Sequence, residues 1–320
     1  MTQIKKYRLL LMGTSEFAIP SFFKVIESDM FDVVGVITQP DKKFGRKHII
    51  NHSPVKKIAI KNNIRIFQPS SLSDQKIHKV IDELNLDVIL VAAYGKIIPG
   101  SILNMPKYGS INIHPSLLPK YRGPSPLQSA ILNGDKYTGT TIMLMNNKMD
   151  EGDILFQKKI LVKKEYNIES LHNRLADLSA DLIENVLSEF INGDIKPIKQ
   201  EKNKATYTKI IKKEDGRLDW KNTQDQIYRK FKAYHPWPGI FTYILIKNKK
   251  VLLKIIEIKL SNSINKHKYG TIYKSGVNLQ VATNDNKSII LKRVQLEGRG
   301  IISGQEFIQG YNIILKSRLI

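Results

Sequence analysis

The chain has 320 residues, about twice the length at which single domains cluster, so two domains are expected rather than one. Hydrophobic residues make up 42% and charged residues 25%, with a mean hydropathy of -0.26; this excludes disordered and collagen-like classes, and no stretch approaches the roughly 18 uncharged apolar residues of a membrane span. The formal charge is +22 and cysteine is absent, which excludes a disulfide framework, a thiolate metal site and a cysteine nucleophile.

The chain begins YRLLLMG, SEFAIPSFFKVIES, FDVVGVITQP, which reads strand, helix, strand. The alternation continues through HSPVKKIAIKNN, IRIFQP, DQKIHKVIDELN, LDVILVAAYG and YGSINIHPS, and its short Val/Ile-rich runs suit strands buried on both faces. The expected fold class is α/β, a doubly wound, mostly parallel Rossmann-like sheet, with ligands beyond the carboxyl ends of the strands. Residues 166–191 place Leu171, Leu175, Leu178, Leu182, Ile183 and Val186 at helical spacing, with Asn167 as an N-cap and Asn192-Gly193 as a stop. That helix is expected to close a first domain, 1–192. A polar, lysine-rich stretch follows and reads as a basic linker, 193–211. From 212 to 320 the runs TYILI, KVLLKIIEIKL, GTIYK, LQVAT and SIILKRVQLE suggest a small β-barrel.

Charge is unevenly spread. Residues 1–205 hold 29 basic and 21 acidic side chains, whereas residues 206–320 hold 22 and 8. A nucleic-acid partner explains such a basic C-terminal part, and a solvated lysine-rich surface explains it equally well, since 41 of the basic residues are Lys and only 10 are Arg. The N-terminus runs into a strand with no cleavage-site pattern, which with the lack of cysteine points to the cytoplasm.

Gly13 is followed by Thr14-Ser15-Glu16-Phe17-Ala18, not by a G-x-G-x-x-G turn, so no nicotinamide cofactor is expected. Asn112 and His114 alternate with Ile111 and Ile113 at the end of a predicted buried strand, and period-2 geometry puts them on one face. A neutral amide donor beside a histidine suits polarisation of a carbonyl and capture of the oxyanion formed on attack. A satisfied core histidine beside a strand-capping asparagine fits the same pattern. In MDEGDIL, Asp150 and Asp153 flank a glycine turn and offer a carboxylate for a proton or for orienting the histidine. The ligand set for a divalent metal is thin, and none is expected.

Asn112-x-His114, followed by SLLPKYRGPSPLQSAI and then by Asp150 in MDEGD, resembles the formyltetrahydrofolate-dependent formyltransferases. The resemblance implies that Asn112 and His114 hold the tetrahedral oxyanion at the formyl carbon, that Asp150 orients His114, and that Ser116, Leu117, Leu118 and Pro119 line the folate site. It implies 10-formyltetrahydrofolate as the formyl donor. The trio does not choose the acceptor. LLLMGTSEFA, GVITQPDKKFGRK, SPVKKIA, VAAYGKIIP, DWKNTQDQIYRKFKAYHPWPGIFT and the tail EGRGIISGQEFIQGY are similar to the members that act on initiator methionyl-tRNA in translation initiation. That likeness implies an OB-like, tRNA-binding C-terminal domain and places Lys42, Lys43, Arg46 and Lys47 at the tRNA acceptor end. It also implies a monomer that needs no membrane. The alternative acceptor within the same fold is a nucleotide-linked amino sugar, against which the basic second domain argues.

Overall fold

The structure, a computed structural model, describes residues 6–44, 49–311 and 317–320. In chain order the elements are β1 (Tyr7–Gly13), α1 (Ile19–Ile26), β2 (Phe31–Ile37), β3 (Lys42–Phe44), β4 (Ile49–Asn51), α2 (Pro54–Lys61), β5 (Ile66–Phe67), α3 (Gln75–Glu83), β6 (Val88–Ala92), α4 (Gly100–Leu103), β7 (Ser110–His114), α5 (Pro126–Asn133), β8 (Tyr137–Leu144), β9 (Ile154–Leu161) and α6 (Ile168–Asn192). They continue with α7 (Gln224–Tyr234), β10 (Ile240–Ile246), β11 (Lys249–Leu260), β12 (Ile272–Ser275), β13 (Asn278–Ala282), β14 (Ser288–Leu296), β15 (Ile301–Ser303) and α8 (Gly304–Gly310).

Two compact units result. One runs to Lys209 except for Gln128–Asp135 and Glu165–Ile168; the other takes those two segments and the chain from Ile210 onward. Residues 193–209, expected as a linker, are therefore built into the first unit. The reason is hydrogen bonding: Ile198 pairs with Ile154 at the start of β9, Tyr121 N–H donates to Thr206 Oγ1 at 2.8 Å, and Arg122 N–H donates to the Thr206 carbonyl at 2.9 Å.

The first unit holds a seven-stranded sheet in the order β5-β2-β1-β6-β7-β8-β9. β5, β2, β1, β6 and β7 pair in parallel, and β8 and β9 add as antiparallel edge strands. β6 and β7 are buried along their whole length, as parallel strands covered on both faces must be. From β1 the order proceeds outward to β2 and β5, and from β6 it proceeds the other way, so the topology reverses between β1 and β6. Ligands of such sheets sit at that reversal. Leu171, Leu175, Leu178, Ile183 and Val186 are buried on α6, as the spacing predicts, while Leu182 is only partly covered. Ser53 caps α2 by accepting from Lys56 N–H, with Pro54 at the first helical position.

The second unit is a curled antiparallel sheet in the order β10-β11-β14-β13-β12, with β15 on β14. Its core comprises Leu253, Ile255, Ile272, Leu279, Val281, Ile289, Leu291, Val294 and Phe307. The C-terminal residues bond to both edges of the curl. Ile272 N–H donates to the Ser317 carbonyl on the β12 side, and Tyr243 and Ile320 exchange two backbone hydrogen bonds on the β10 side. This closure gives the sheet its barrel character. Trp237, between Pro236 and Pro238, is exposed.

No helix among the described residues is long and apolar enough to cross a membrane.

Candidate active site

β7 places Asn112 and His114 on one face at its carboxyl end, opposite Met143 and Thr141 of β8. Asn112 is buried, yet its side-chain amide has no hydrogen-bond partner among the described residues. Neither amide atom is among the buried side-chain atoms left without a partner, so the amide reaches the accessible surface, where an incoming group can meet it.

His114 is 4% exposed and is held from two sides. After the strand the chain turns back on itself, and Nε2 donates to the carbonyl of Tyr121 at 2.9 Å. A carbonyl only accepts, so Nε2 carries hydrogen and Nδ1 is the nitrogen left for another partner. Nδ1 lies 3.6 Å from Asp150 Oδ2, close enough for charge and too long for a tight hydrogen bond.

Asp150 sits in the turn between β8 and β9. Its Oδ2 accepts from Gly123 N–H at 2.6 Å. Two glycines make this possible. Gly123 has a φ of +103, and a Cβ there would press on the Thr208 carbonyl and hydroxyl at 2.9 Å; a Cβ on Gly152 would overlap the Leu144 carbonyl. Asp150 and Tyr121, the two partners of His114, are themselves in the left-handed region, with φ of 52 and 62. Non-glycine residues adopt that conformation at a cost and hold it where surrounding contacts fix it, as at functional sites.

Beyond Pro115 comes the segment Ser116 to Pro119, expected to line the folate site. Ser116 is fully buried and its hydroxyl donates to the Lys120 carbonyl at 2.6 Å, so it shapes the turn rather than facing outward. Leu118 is also buried; its N–H donates to Thr141 Oγ1 and its carbonyl accepts from Gln157. Leu117 and Pro119 remain half-exposed and apolar.

Across the topological reversal, a cleft of ≈ 480 Å³ is lined by Thr14, Ser15, Gln39, Asn51, His52 and His172 among others. Thr14 and Gln39 both donate to the Tyr94 carbonyl, tying the loops after β1, β2 and β6 together. The basic stretch expected at 42–47 begins a β3–β4 hairpin, with Lys42 opposite Asn51 and Lys43 opposite Ile50 in its backbone ladder; Arg46 and Lys47 lie outside the described residues. The hairpin's base is a polar cluster. Asp41 accepts from Lys56 and from Gln68, with His52 Nδ1 3.0 Å away, and its carboxyl is lowered to about 2, first by the Lys56 hydrogen bond, then by Gln68.

The sequence spacing did not reveal what lies behind the Asp150 turn: Arg122, 2% exposed, paired with Glu151 and with Gln200. The only signal for Arg122 was its place next to Gly123, and Gln200 sits in a stretch of lysines with no pattern to mark it.

Against known proteins, residues 5–187 match the Formyl transferase model and residues 210–312 match the model for the Formyl transferase C-terminal domain. The chain belongs to the formyl transferase family. Among its relatives, a methionyl-tRNA formyltransferase of Caldanaerobacter subterraneus subsp. tengcongensis is 39% identical over 96% of this chain and 97% of its own length. One of Caldicellulosiruptor saccharolyticus is 40% identical over 95% and 97%, and one of Staphylococcus aureus is 35% identical over 98% and 99%. The fold is shared with a solved N-formyltransferase from Helicobacter canadensis in complex with folinic acid and dTDP-3-aminofucose, at a TM-score of 0.66 and 19% identity over 89% of this chain and 98% of that one. It is also shared with WlaRD, a sugar 3N-formyl transferase, at 0.63 and 20% identity over 92% and 100%. At these identities the sugar enzymes speak for the formyltransferase fold alone, so the expected α/β sheet with a C-terminal barrel is what the chain forms.

Proposed function

We propose that this formyltransferase moves the formyl group of 10-formyltetrahydrofolate to the α-amino group of methionine on initiator methionyl-tRNA, for translation initiation in the cytoplasm. The observation that carries the chemistry is the Asn112 amide, accessible and without a protein partner, on the same strand face as His114, whose Nδ1 faces Asp150. The acceptor is supported by identity of 35–40% along nearly the whole chain to relatives named methionyl-tRNA formyltransferase.

The folate supplies a formyl group on N10, an amide-like carbonyl. The chain's own residues then have defined work. Asn112 donates a hydrogen bond to the carbonyl oxygen as negative charge grows on it, a contact stronger in the transition state than in the ground state. The bond from the amine to the formyl carbon forms as the bond from that carbon to N10 breaks. The amine gives up a proton and N10 takes one, and on this reading His114 Nδ1 carries it. Asp150 holds the positive charge of the imidazole while it does so, and the Tyr121 carbonyl keeps the ring in orientation. Leu117 and Pro119 offer apolar surface to a flat ring beside the reacting centre, with Ser116 and Leu118 shaping the loop under them. No step requires a metal or a nicotinamide.

For the acceptor, the β3–β4 hairpin leads from the basic run Lys42, Lys43, Arg46, Lys47 to Asn51 and His52, which line the cleft. On this reading those cations bind the phosphates of the tRNA acceptor end. The second unit supplies the larger phosphate-binding surface. On this reading the first unit is catalytic, the second binds tRNA, and one chain suffices. Replacing Lys42, Lys43, Arg46 and Lys47 by Ala together tests the division: KM for methionyl-tRNA rises and its salt dependence flattens while KM for folate holds. An equal loss toward both substrates contradicts it.

A further inference from the structure

We propose that Gln200 is a positioning residue for Asp150, with buried Arg122 fixing the direction in which it acts. The inference rests on the reading that Asp150 serves formyl transfer.

The argument begins with donors and acceptors. Arg122 is 2% exposed, so all its charge must be met inside the protein. Nη1 faces Glu151 Oε1 at 3.1 Å and donates to the Tyr207 hydroxyl at 2.9 Å, and that hydroxyl donates to Glu151 at 3.2 Å. Nε and Nη2 both donate to the side-chain oxygen of Gln200, at 3.0 and 2.8 Å. A guanidinium has donors only. The Gln200 amide therefore has one allowed orientation, with oxygen toward Arg122 and nitrogen away from it.

That nitrogen is spent on the turn. It donates to the backbone carbonyls of Asp150 and Gly152, both at 2.8 Å. The two carbonyls flank Glu151, the residue paired with Arg122, so the turn is gripped along three successive residues. From the other side Gly123, the residue after Arg122, donates to the Asp150 carboxylate. The same short segment thus fixes the backbone of the turn through Gln200 and its side chain directly. Asp150, with φ of 52, is in a conformation that relaxes when such contacts are removed. The 3.6 Å approach of its carboxylate to His114 depends on that conformation being held.

A purely structural reading makes Gln200 a partner that a buried cation needs. The substitution Gln200→Glu separates the two. Its carboxylate still accepts from both nitrogens of Arg122, so the cation stays paired, but it has no donor for the carbonyls of Asp150 and Gly152. The expected result is a folded protein whose kcat falls about 10- to 100-fold, in line with the cost of small misplacements, with KM for both substrates little changed. Combined with Asp150→Asn, the loss is no larger than that of Asp150→Asn alone, because both act at one group. Arg122→Lys keeps a positive charge beside Glu151 and presents no fork to Gln200; it gives a smaller fall in kcat that again does not add to Asp150→Asn. Wild-type kcat in Gln200→Glu, or losses that multiply in full with Asp150→Asn, overturns the inference. Full activity of Asp150→Asn itself overturns the reading of the site beneath it.

Discussion

His114 Nε2 and the Tyr121 carbonyl, 2.9 Å apart, fix which nitrogen of the imidazole is left to face Asp150. The hydrogen on Nε2 is committed to the backbone seven residues later, and Nδ1 is turned toward Asp150. The sequence pair Asn112-x-His114 left open whether the histidine was a satisfied core residue. One of its nitrogens is satisfied, and the other faces an acid.

His114→Gln follows from this geometry. Glutamine reaches the Tyr121 carbonyl with an amide N–H and has no group that takes up a proton. Thermal unfolding shifts little, while kcat falls by about 10²- to 10⁴-fold, the range for a lost proton-transfer group. Circular dichroism melts and single-turnover rates check the two halves separately; a rate near wild type would show that Nδ1 carries no proton.

Asn112→Ala is expected to lose activity without losing stability. Its amide has no partner to leave stranded, so the fold changes little, whereas removal of an oxyanion donor costs about 10² to 10³ in kcat. A variant that unfolds early and keeps its kcat per folded molecule contradicts the assignment.

Asp41 gives a pH dependence with a defined sign. Its carboxyl stands at about 2 against an ordinary 3.8, held down first by Lys56, then by Gln68. A carboxyl lowered on folding stabilises the native state above its unfolded value and loses that contribution as pH falls toward the folded one. The difference in melting temperature between the wild type and Asp41→Asn is therefore full at pH 7 and shrinks between about pH 4 and pH 2. A gap that is unchanged at pH 3 rules out Asp41 as the latch at the base of the hairpin.

Leu319→Ala tests the closure of the barrel. Leu319 is 4% exposed, and its N–H bonds to the Gly270 carbonyl at the edge of β12. Losing a buried leucine costs about 2–5 kcal/mol, so the second unit melts earlier than in the wild type. Calorimetry that resolves the two units sees this shift confined to one transition; a melt unchanged throughout means that the closing segment bears no load.

Hydrophobic patterning made the parallel sheet legible, because β6 is a uniform run of Val, Ile, Leu and Ala, β7 alternates Ile with polar residues, and both are buried along their whole length. The candidate pair was legible for a related reason: Asn112 and His114, polar residues at period 2, stand out in a strand that is buried throughout. The strand runs of the second unit were also readable, but not the return of residues 317–320 to both its edges, since backbone pairing leaves no side-chain pattern. Residues 193–209 misled because lysines and a proline look like a linker, while what anchors the segment is Gln200, Thr206 and Tyr207 meeting partners about 80 residues away. Long-range polar pairing of that kind has no period. The β3–β4 hairpin was hidden likewise, each of its strands, Lys-Lys-Phe and Ile-Ile-Asn, being only three residues long.

The most direct measurement is transfer of labelled formyl from 10-formyltetrahydrofolate to initiator methionyl-tRNA, elongator methionyl-tRNA and a nucleotide-linked amino sugar, by the wild type and by His114→Gln. The account predicts transfer to the initiator tRNA, far less to the elongator, none to the sugar, and loss of all transfer in the variant. Formylation of the sugar in preference to the tRNA, or a variant as active as the wild type, contradicts it.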